Sequence, residues 1–352
     1  MTRIGLTLGD PCGIGPELWV KTLLRLRFEQ PEAMTQLTMY GDPLVLQRAA
    51  IELGRHSEWQ ALCLDLSLIP ITTLSAHDVT PGQPSAKSGT AQVSYLQAAI
   101  SAAQSGHIQG ICTGPIHKAS AKAAGLVFPG HTELLADTLL APQRSVVMML
   151  AGPSLRVALC SIHIALSQVP AALTTPGIVQ TIVTTTQALS EDFADPAPQL
   201  AVLGLNPHAG ESGHFGDEEA RIITPAIEAA RQEERLRSIP GVRIVGPLVP
   251  DVAFRQALYP SAGSSKPSAL IAMYHDQGLI PIKLIDFDHT VNVTLGLRVV
   301  RTSPDHGTAH DIAGKGIARE DSLHAALTMC LAHTARRVGK SRQTAQARAT
   351  ML

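Results

Sequence analysis

Short apolar runs alternate with stretches of helical periodicity along this chain, and that alternation leaves few folds open. Residues 3–8, 108–112, 145–150, 155–161, 200–205 and 269–274 are apolar runs too short for helices and read as strands. Apolar residues recur at helical spacing over 18–26 and 91–105. Strand and helix in alternation predict a mainly parallel α/β protein. Open sheets of that kind hold their ligands at the carboxyl ends of the strands, so the residues just beyond each apolar run matter most. No repeat of solenoid type is present.

Three of these runs end in a histidine. Residues 155–161 lead to Ile162-His163, 200–205 to Asn206-Pro207-His208, and 269–274 to His275-Asp276-Gln277-Gly278. One histidine at a strand end is most often a hydrogen-bonded structural residue. Three in the same topological position converge on one crevice, where neutral imidazoles suit a divalent transition ion and leave coordination positions open for a substrate. Lys283, Asn292 and Arg301 follow, two cations and an amide suited to an anion. The glycine-punctuated segment HGTAHDIAGKG, 306–316, has a backbone that can approach a flat or phosphorylated ligand.

The amino-terminal strand runs into GDPCGIGPE, 9–17, and a helix pattern follows. That is the layout of a phosphate or dinucleotide turn, yet GxGxxG is absent, because Leu18 stands at the third glycine position. Asp10, at the strand end, is the functional candidate there, and the glycines serve a tight turn equally well. Lys118, after TGPIH, suits an anion or the first turn of a surface helix. Thr132, within GHTE, can cap the helix that follows, with Glu133 favoured by the dipole.

The 352 residues suffice for two core-bearing units. With 45% hydrophobic and 16% charged residues, a formal net charge of −1 and 3% aromatics, no nucleic-acid or membrane partner is expected. No apolar run reaches the roughly 18 to 20 residues of a membrane span, and MTRIGLTLGD lacks signal-peptide regions, so a cytoplasmic location is expected. The five cysteines contain no C-x-x-C pair and are assigned no chemistry. The basic tail, 336–352, reads as a mobile extension without a nucleic-acid role.

HDQG, the Lys283/Asn292/Arg301 spacing, RTSPDHGTA, DIAGKG, GDP-x-GIGPE and GHTE together resemble the 4-hydroxythreonine-4-phosphate dehydrogenase (PdxA) family, from Gly9 to about Cys330. HGTAHDIAGKGIA is also similar to the adenine-nucleotide loop of isopropylmalate and isocitrate dehydrogenases, whose fold that family shares. The resemblance implies two α/β domains with mainly parallel sheets and a cleft between them. Residues 1–130 with 300–352 would bind the nucleotide; 131–299 would bind metal and substrate and dimerise. It implies NAD- or NADP-linked oxidation of 4-phosphooxy-L-threonine at its C3 hydroxyl, then decarboxylation, on the route to pyridoxal phosphate. One divalent ion (zinc, with magnesium, manganese or cobalt as alternatives) would sit on His163, His208 and His275. It would lower the hydroxyl's pKa and polarise the new carbonyl. His131, Thr132, Lys283, Asn292 and Arg301 would bind the phosphorylated hydroxy-acid substrate. The loop residues His306, Gly307, Ala309, Asp311 and Ile312 would hold the cofactor. Asp251, in a string similar to the family's GPLPAD, and Asp276 are the candidate acid/base carboxylates. The family closes its site across a homodimer interface, with metal ligands from both subunits.

Two departures flank the anion residues: Arg298 stands where the family usually has proline, and Asp288-His289-Thr290 replaces a more glycine-rich string. Relatives in the family oxidise phosphorylated threonate or erythronate, or carboxylated dihydrodiols; retention of HTE, Lys283, Asn292 and Arg301 speaks against the diol. The same fold carries phosphate acyltransferases, and three histidines could also serve a metal hydrolase or a binding protein without turnover.

Overall fold

The structure is a computed structural model that describes residues 2–75, 77–126, 131–263 and 265–350; the side chains of 131, 132 and 341–350 lie outside the described ones. Its strands are β1 (Ile4–Thr7), β2 (Leu37–Gly41), β3 (Ser67–Pro70), β4 (Gly110–Thr113), β5 (Val147–Ala151), β6 (Arg156–Leu159), β7 (Gln199–Leu203), β8 (Arg243–Leu248), β9 (Ala269–Ala272), β10 (Val291–Leu295) and β11 (Val300–Pro304). The chain divides into two compact units, one of Met1–Leu139 with Leu297–Leu352 and one of Leu140–Gly296. Each is α/β, as the alternating pattern predicts. No helix among the described residues is long and apolar enough to cross a membrane.

In the first unit the strands run parallel in the order β3-β2-β1-β4-β11. β2 and β3 extend the sheet on one side of β1 and β4 on the other, so the switch of direction falls between β1 and β4. Two loops leave the sheet there, Gly9-Asp10-Pro11 after β1 and Gly114-Pro115 after β4, joined by the Asp10 N–H donating to the Pro115 carbonyl at 2.8 Å. Gly9 permits this approach, because it has φ +79° and a Cβ on it would lie 2.3 Å from the Pro115 carbonyl oxygen. The helix Gly15–Glu29 follows with Pro16 in its first turn, where no amide hydrogen is missed, and Trp19 anchors it by donating to the Thr7 carbonyl at 3.0 Å. The helix Asp321–Thr350 packs on β11 and β4. Residues 336–350 continue this helix, whose first turns are buried through Leu323, Ala326, Leu327 and Cys330.

In the second unit the order is β10-β5-β6-β9-β7-β8. β5 is antiparallel to both its neighbours and the remaining pairs are parallel. Leu150, Val157, Leu159, Ala201, Leu203, Leu270 and Ala272 share one core with Phe254, Leu279 and Ile282 from the helices Pro250–Leu258 and His275–Asp286. Alternate strand residues such as Met149, Ala158, Val202 and Ile271 are equally buried, and the helix Thr175–Glu191 contacts β5, β6, β7 and β10. A sheet buried on both faces reads as continuous apolar runs, which is what the sequence displays.

Candidate active site

The second unit aligns the three histidine-terminated strands. β6, β9 and β7 are adjacent and parallel, with Leu159 beside Ala272 and Val202 beside Ile271, so their carboxyl ends share one edge. His163 lies four residues past Leu159, His275 three past Ala272, and His208 six past Val202. The His163 and His275 rings are 5.8 Å apart between centroids and tilted by 46°. Two imidazoles on one tetrahedral ion would stand about 5 Å apart, given metal–nitrogen bonds near 2.0 Å. Both rings line an open cavity of about 380 Å³ with Ile162, Ile164, Leu166, Val169, Tyr274 and Asp276.

His275 opens a helix instead of a loop. HDQG reads as a break because of its glycine, but Gly278 is helical, and a Cβ there would meet Val157 at 2.7 Å and Leu159 at 2.9 Å. The glycine serves close packing of the helix on β6. Asp276 is exposed and lies 2.6 Å from His275 Nδ1, which leaves Nε2 as the outward donor atom. His208 heads a turn in which residues 208–212 all have positive φ, and its ring lies 6.0 Å from that of Phe215. Among the described residues no three His, Cys, Asp or Glu side chains are close enough to hold one ion. His163 and His275 are thus brought together, and His208 shares their sheet edge without joining them in one donor cluster.

The anion residues fall in both units. Lys283 lies in the last turn of the 275–286 helix and Asn292 in β10 of the second unit; the Asn292 Oδ1 is buried without a hydrogen-bond partner among the described residues. Arg301 lies in β11 of the first unit, 3% exposed, with Nη2 donating to Thr113 Oγ1 at 2.9 Å. Burial pulls its guanidinium down to about 10, still charged at neutral pH. Arg301 is the second residue of β11, beside Ile111 of β4, and a buried, charged guanidinium suits an oxyanion partner. His131 and Thr132 begin the helix His131–Leu139, and their side chains lie outside the described ones. Lys118 is exposed in the first turn of a surface helix.

The 306–316 loop is built against the loop after β1. The Ile14 N–H donates to the Thr308 carbonyl at 2.9 Å, and buried Glu17 accepts from the Gly316 and Ala318 N–H groups at 3.2 and 2.9 Å. Lys21 Nζ donates to the Gly316 and Ala318 carbonyls at 2.9 and 2.6 Å. Fully buried Asp10 accepts from the Cys12 N–H and lies 2.9 Å from His310 Nε2, and the His310 ring stands edge-on to His117. Gly307 and Asp311 are exposed, His306, Ala309 and Ile312 half-buried, so all five candidate cofactor residues border solvent on a backbone already fixed. Buried Asp10 and half-buried His310 thus act as a strut for this loop.

Asp251 is exposed in the first turn of the 250–258 helix. The cysteines are all free, and burial pushes the Cys160 and Cys330 thiols up to about 12, which removes them as nucleophiles. Two side chains behind the histidines are buried, Gln277, within the HDQG string that the sequence singles out, and Glu219, which lies on no recognisable chemical spacing.

A model of the family described as pyridoxal phosphate biosynthetic protein PdxA matches residues 33–330. The 4-hydroxythreonine-4-phosphate dehydrogenase of Desulforapulum autotrophicum is 42% identical over 339 residues, covering 93% of this chain and 94% of the relative. The crystal structure of the 4-hydroxythreonine-4-phosphate dehydrogenase of Klebsiella pneumoniae superposes with a TM-score of 0.74 at 32% identity, covering 95% of this chain and 100% of that one. A terephthalate 1,2-cis-dihydrodiol dehydrogenase from Burkholderia xenovorans is more distant, with a TM-score of 0.62 and 27% identity over 94% of this chain and 97% of its own. Strand-end histidines, buried Arg301 and the braced glycine loop therefore sit in a chain that belongs to the PdxA family.

Proposed function

We propose that this chain is a 4-hydroxythreonine-4-phosphate dehydrogenase, oxidising 4-phosphooxy-L-threonine at its C3 hydroxyl with NAD or NADP before decarboxylation, in pyridoxal phosphate biosynthesis. The observation that carries the reading is the row of histidines at the ends of β6, β9 and β7, in a chain 42% identical to an enzyme of that name. The residue types suit a divalent ion, with the Nδ1 of His275 taken by a carboxylate, but within one chain the three imidazoles do not form one donor cluster. His163, His208 and His275 would hold zinc, or magnesium, manganese or cobalt. Such an ion, when bound, supplies Lewis acidity that favours the alkoxide and polarises the ketone formed from it. The dinucleotide supplies the hydride acceptor, and His306, Gly307, Ala309, Asp311 and Ile312 would border it.

The chain's own side chains account for the remaining needs. Asp276 fixes the His275 tautomer. Asp251 and Asp276 are the carboxylates offered to the hydroxyl proton. The substrate phosphate is assigned to Lys283, Asn292 and Arg301, with His131 and Thr132 as further contacts. Arg301 is charged and held in place by Thr113, and the buried Asn292 amide has an oxygen or nitrogen to offer. A cytoplasmic setting accords with five free cysteines.

A homodimer completes the site in this reading. Ile280, Leu284 and Phe287, spaced to lie along one face of the helix that His275 opens, are 57%, 82% and 69% exposed, and Leu166, beyond His163, is 69% exposed. Exposed apolar rows of this kind mark association surfaces, and this one adjoins two of the three histidines. The test is reduction of NAD⁺ or NADP⁺ by 4-phosphooxy-L-threonine, abolished by a chelator and restored by added metal. Acyl transfer from an acyl-CoA to phosphate, with no reduction of either dinucleotide, would overturn the reading.

A further inference from the structure

We infer that Asp286 is a positioning residue for the substrate phosphate, fixing the helix that carries Lys283 against the strand that carries Asn292. The inference rests on the phosphate assignment above. Lys283 and Asn292 lie in one layer of the second unit. Asn292 stands opposite Leu150 in the β10–β5 pair, so the two side chains leave the sheet on the same face. Leu150 shares its core with Leu279 and Ile282 of the helix His275–Asp286, which places Asn292 on the face that this helix covers. Lys283 follows Leu279 by four residues and is half-buried at the border of that packed stripe.

Asp286 continues the same stripe, three residues past Lys283, and is 7% exposed. A carboxylate in the last turn opposes the helix dipole, so the helix itself gains nothing from it. Its Oδ2 accepts instead from the Ser154 and Leu155 N–H groups, at 2.9 and 3.0 Å, in the turn between β5 and β6. Within that turn the Gly152 N–H donates to the Leu155 carbonyl at 2.8 Å. A Cβ on Gly152 would lie 2.3 Å from Asp286 Oδ2, so the acid sits where only a glycine leaves room. Fully buried Thr290, two residues before Asn292, donates from Oγ1 to the Asp286 carbonyl at 2.8 Å. Thr290 belongs to the Asp288-His289-Thr290 string, where the chain departs from its family. One residue thus ties the helix end to the β5–β6 turn through its side chain, and to the start of β10 through its backbone. Ala151, just before the turn, pairs with Val291, just before Asn292, and this closes the corner. A lysine on the helix and an amide on the strand can address one phosphate only while that corner holds their spacing.

The test compares kcat/KM for 4-phosphooxy-L-threonine with that for its dephosphorylated form, alongside calorimetric affinity for the phosphorylated substrate without dinucleotide. Asp286→Ala should lower both the preference and that affinity about 10- to 100-fold, through KM more than kcat, with the rate on the dephosphorylated form close to wild type. Asp286→Asn, whose carbonyl still accepts from the two N–H groups, should recover most of both. Thr290→Val removes only the bond to the Asp286 carbonyl and should act in the same direction, less strongly; it decides if the alanine variant does not fold. A lowered Tm with preference and affinity intact in the folded variants would make Asp286 structural only and overturn the inference. Lys283→Ala separates this from the phosphate assignment. If that variant keeps the wild-type preference, the assignment fails and the inference with it; if it loses the preference while Asp286→Ala keeps it, the inference alone fails.

Discussion

His275 Nδ1 stands 2.6 Å from Asp276 Oδ1, so the residue next to a candidate metal ligand fixes which ring nitrogen faces outward. A carboxylate can only accept, which places the proton on Nδ1 and the lone pair on Nε2. In Asp276→Asn the side-chain amide can donate instead and reverse the tautomer. Metal affinity should fall about 10- to 100-fold with the fold intact, as cobalt titration would show. Unchanged affinity would remove Asp276 from the ligand's support.

Arg301 separates function from stability. Arg301→Met keeps much of the side-chain volume and removes the charge and the bond to Thr113, so Tm should fall by an amount small beside the loss of activity. The same change should cost about 2 to 5 kcal/mol of binding to a phosphorylated substrate, on the order of 30-fold to several thousandfold in kcat/KM. Arg301→Lys should recover little, because an ammonium lacks the fork. A fall in Tm with kcat/KM preserved would make Arg301 a structural residue.

The pair of buried Asp10 and half-buried His310 braces the loop assigned to the dinucleotide. His310→Ala takes away one partner of the Asp10 carboxylate and leaves it the Cys12 N–H, at a cost of about 1 to 3 kcal/mol. Tm should drop accordingly, and KM for NAD⁺ or NADP⁺ should rise more than KM for the substrate. Equal effects on both would detach the pair from the cofactor.

Association is tested by mixing. His163→Ala and His275→Ala homodimers should be inactive singly, and their exchanged mixture should regain activity if the His275 of each site comes from the partner chain, and stay inactive if the two histidines that lie 5.8 Å apart within one chain serve the same site. Leu284→Glu on the exposed apolar row should shift the protein toward monomer in light scattering and abolish activity together with it. Full activity in a monomer would contradict a shared site.

Much of this was legible in the chain. β6, β7 and β9 show as apolar runs because both faces are buried, and the residues after them are polar because strand ends meet solvent and ligand. Glu219 and the partners of Gln277 were not legible, because the links run to backbone groups up to 73 positions away, and no spacing rule encodes them. The run of positive φ after Pro207 was hidden as well: Gly210 is its sole glycine, and the other four conformations are imposed by tertiary contacts. Gly278 misled because a glycine marks a turn or a close approach, and here packing on Val157 decides for the second. The helical form of the basic tail was not legible, because composition alone does not reveal a helix whose anchored turns lie upstream.

The central claim is oxidation of a phosphorylated hydroxy amino acid, and kcat/KM for 4-phosphooxy-L-threonine against its dephosphorylated form tests it most directly. 4-Phosphothreonate and a carboxylated dihydrodiol complete the panel, each with NAD⁺ and NADP⁺. Loss of the group that Lys283, Asn292 and Arg301 are assigned to bind should lower kcat/KM by 30-fold to several thousandfold, the equivalent of about 2 to 5 kcal/mol. An equal or faster rate on an unphosphorylated substrate would contradict the account and assign the chain to the diol-oxidising branch of its family.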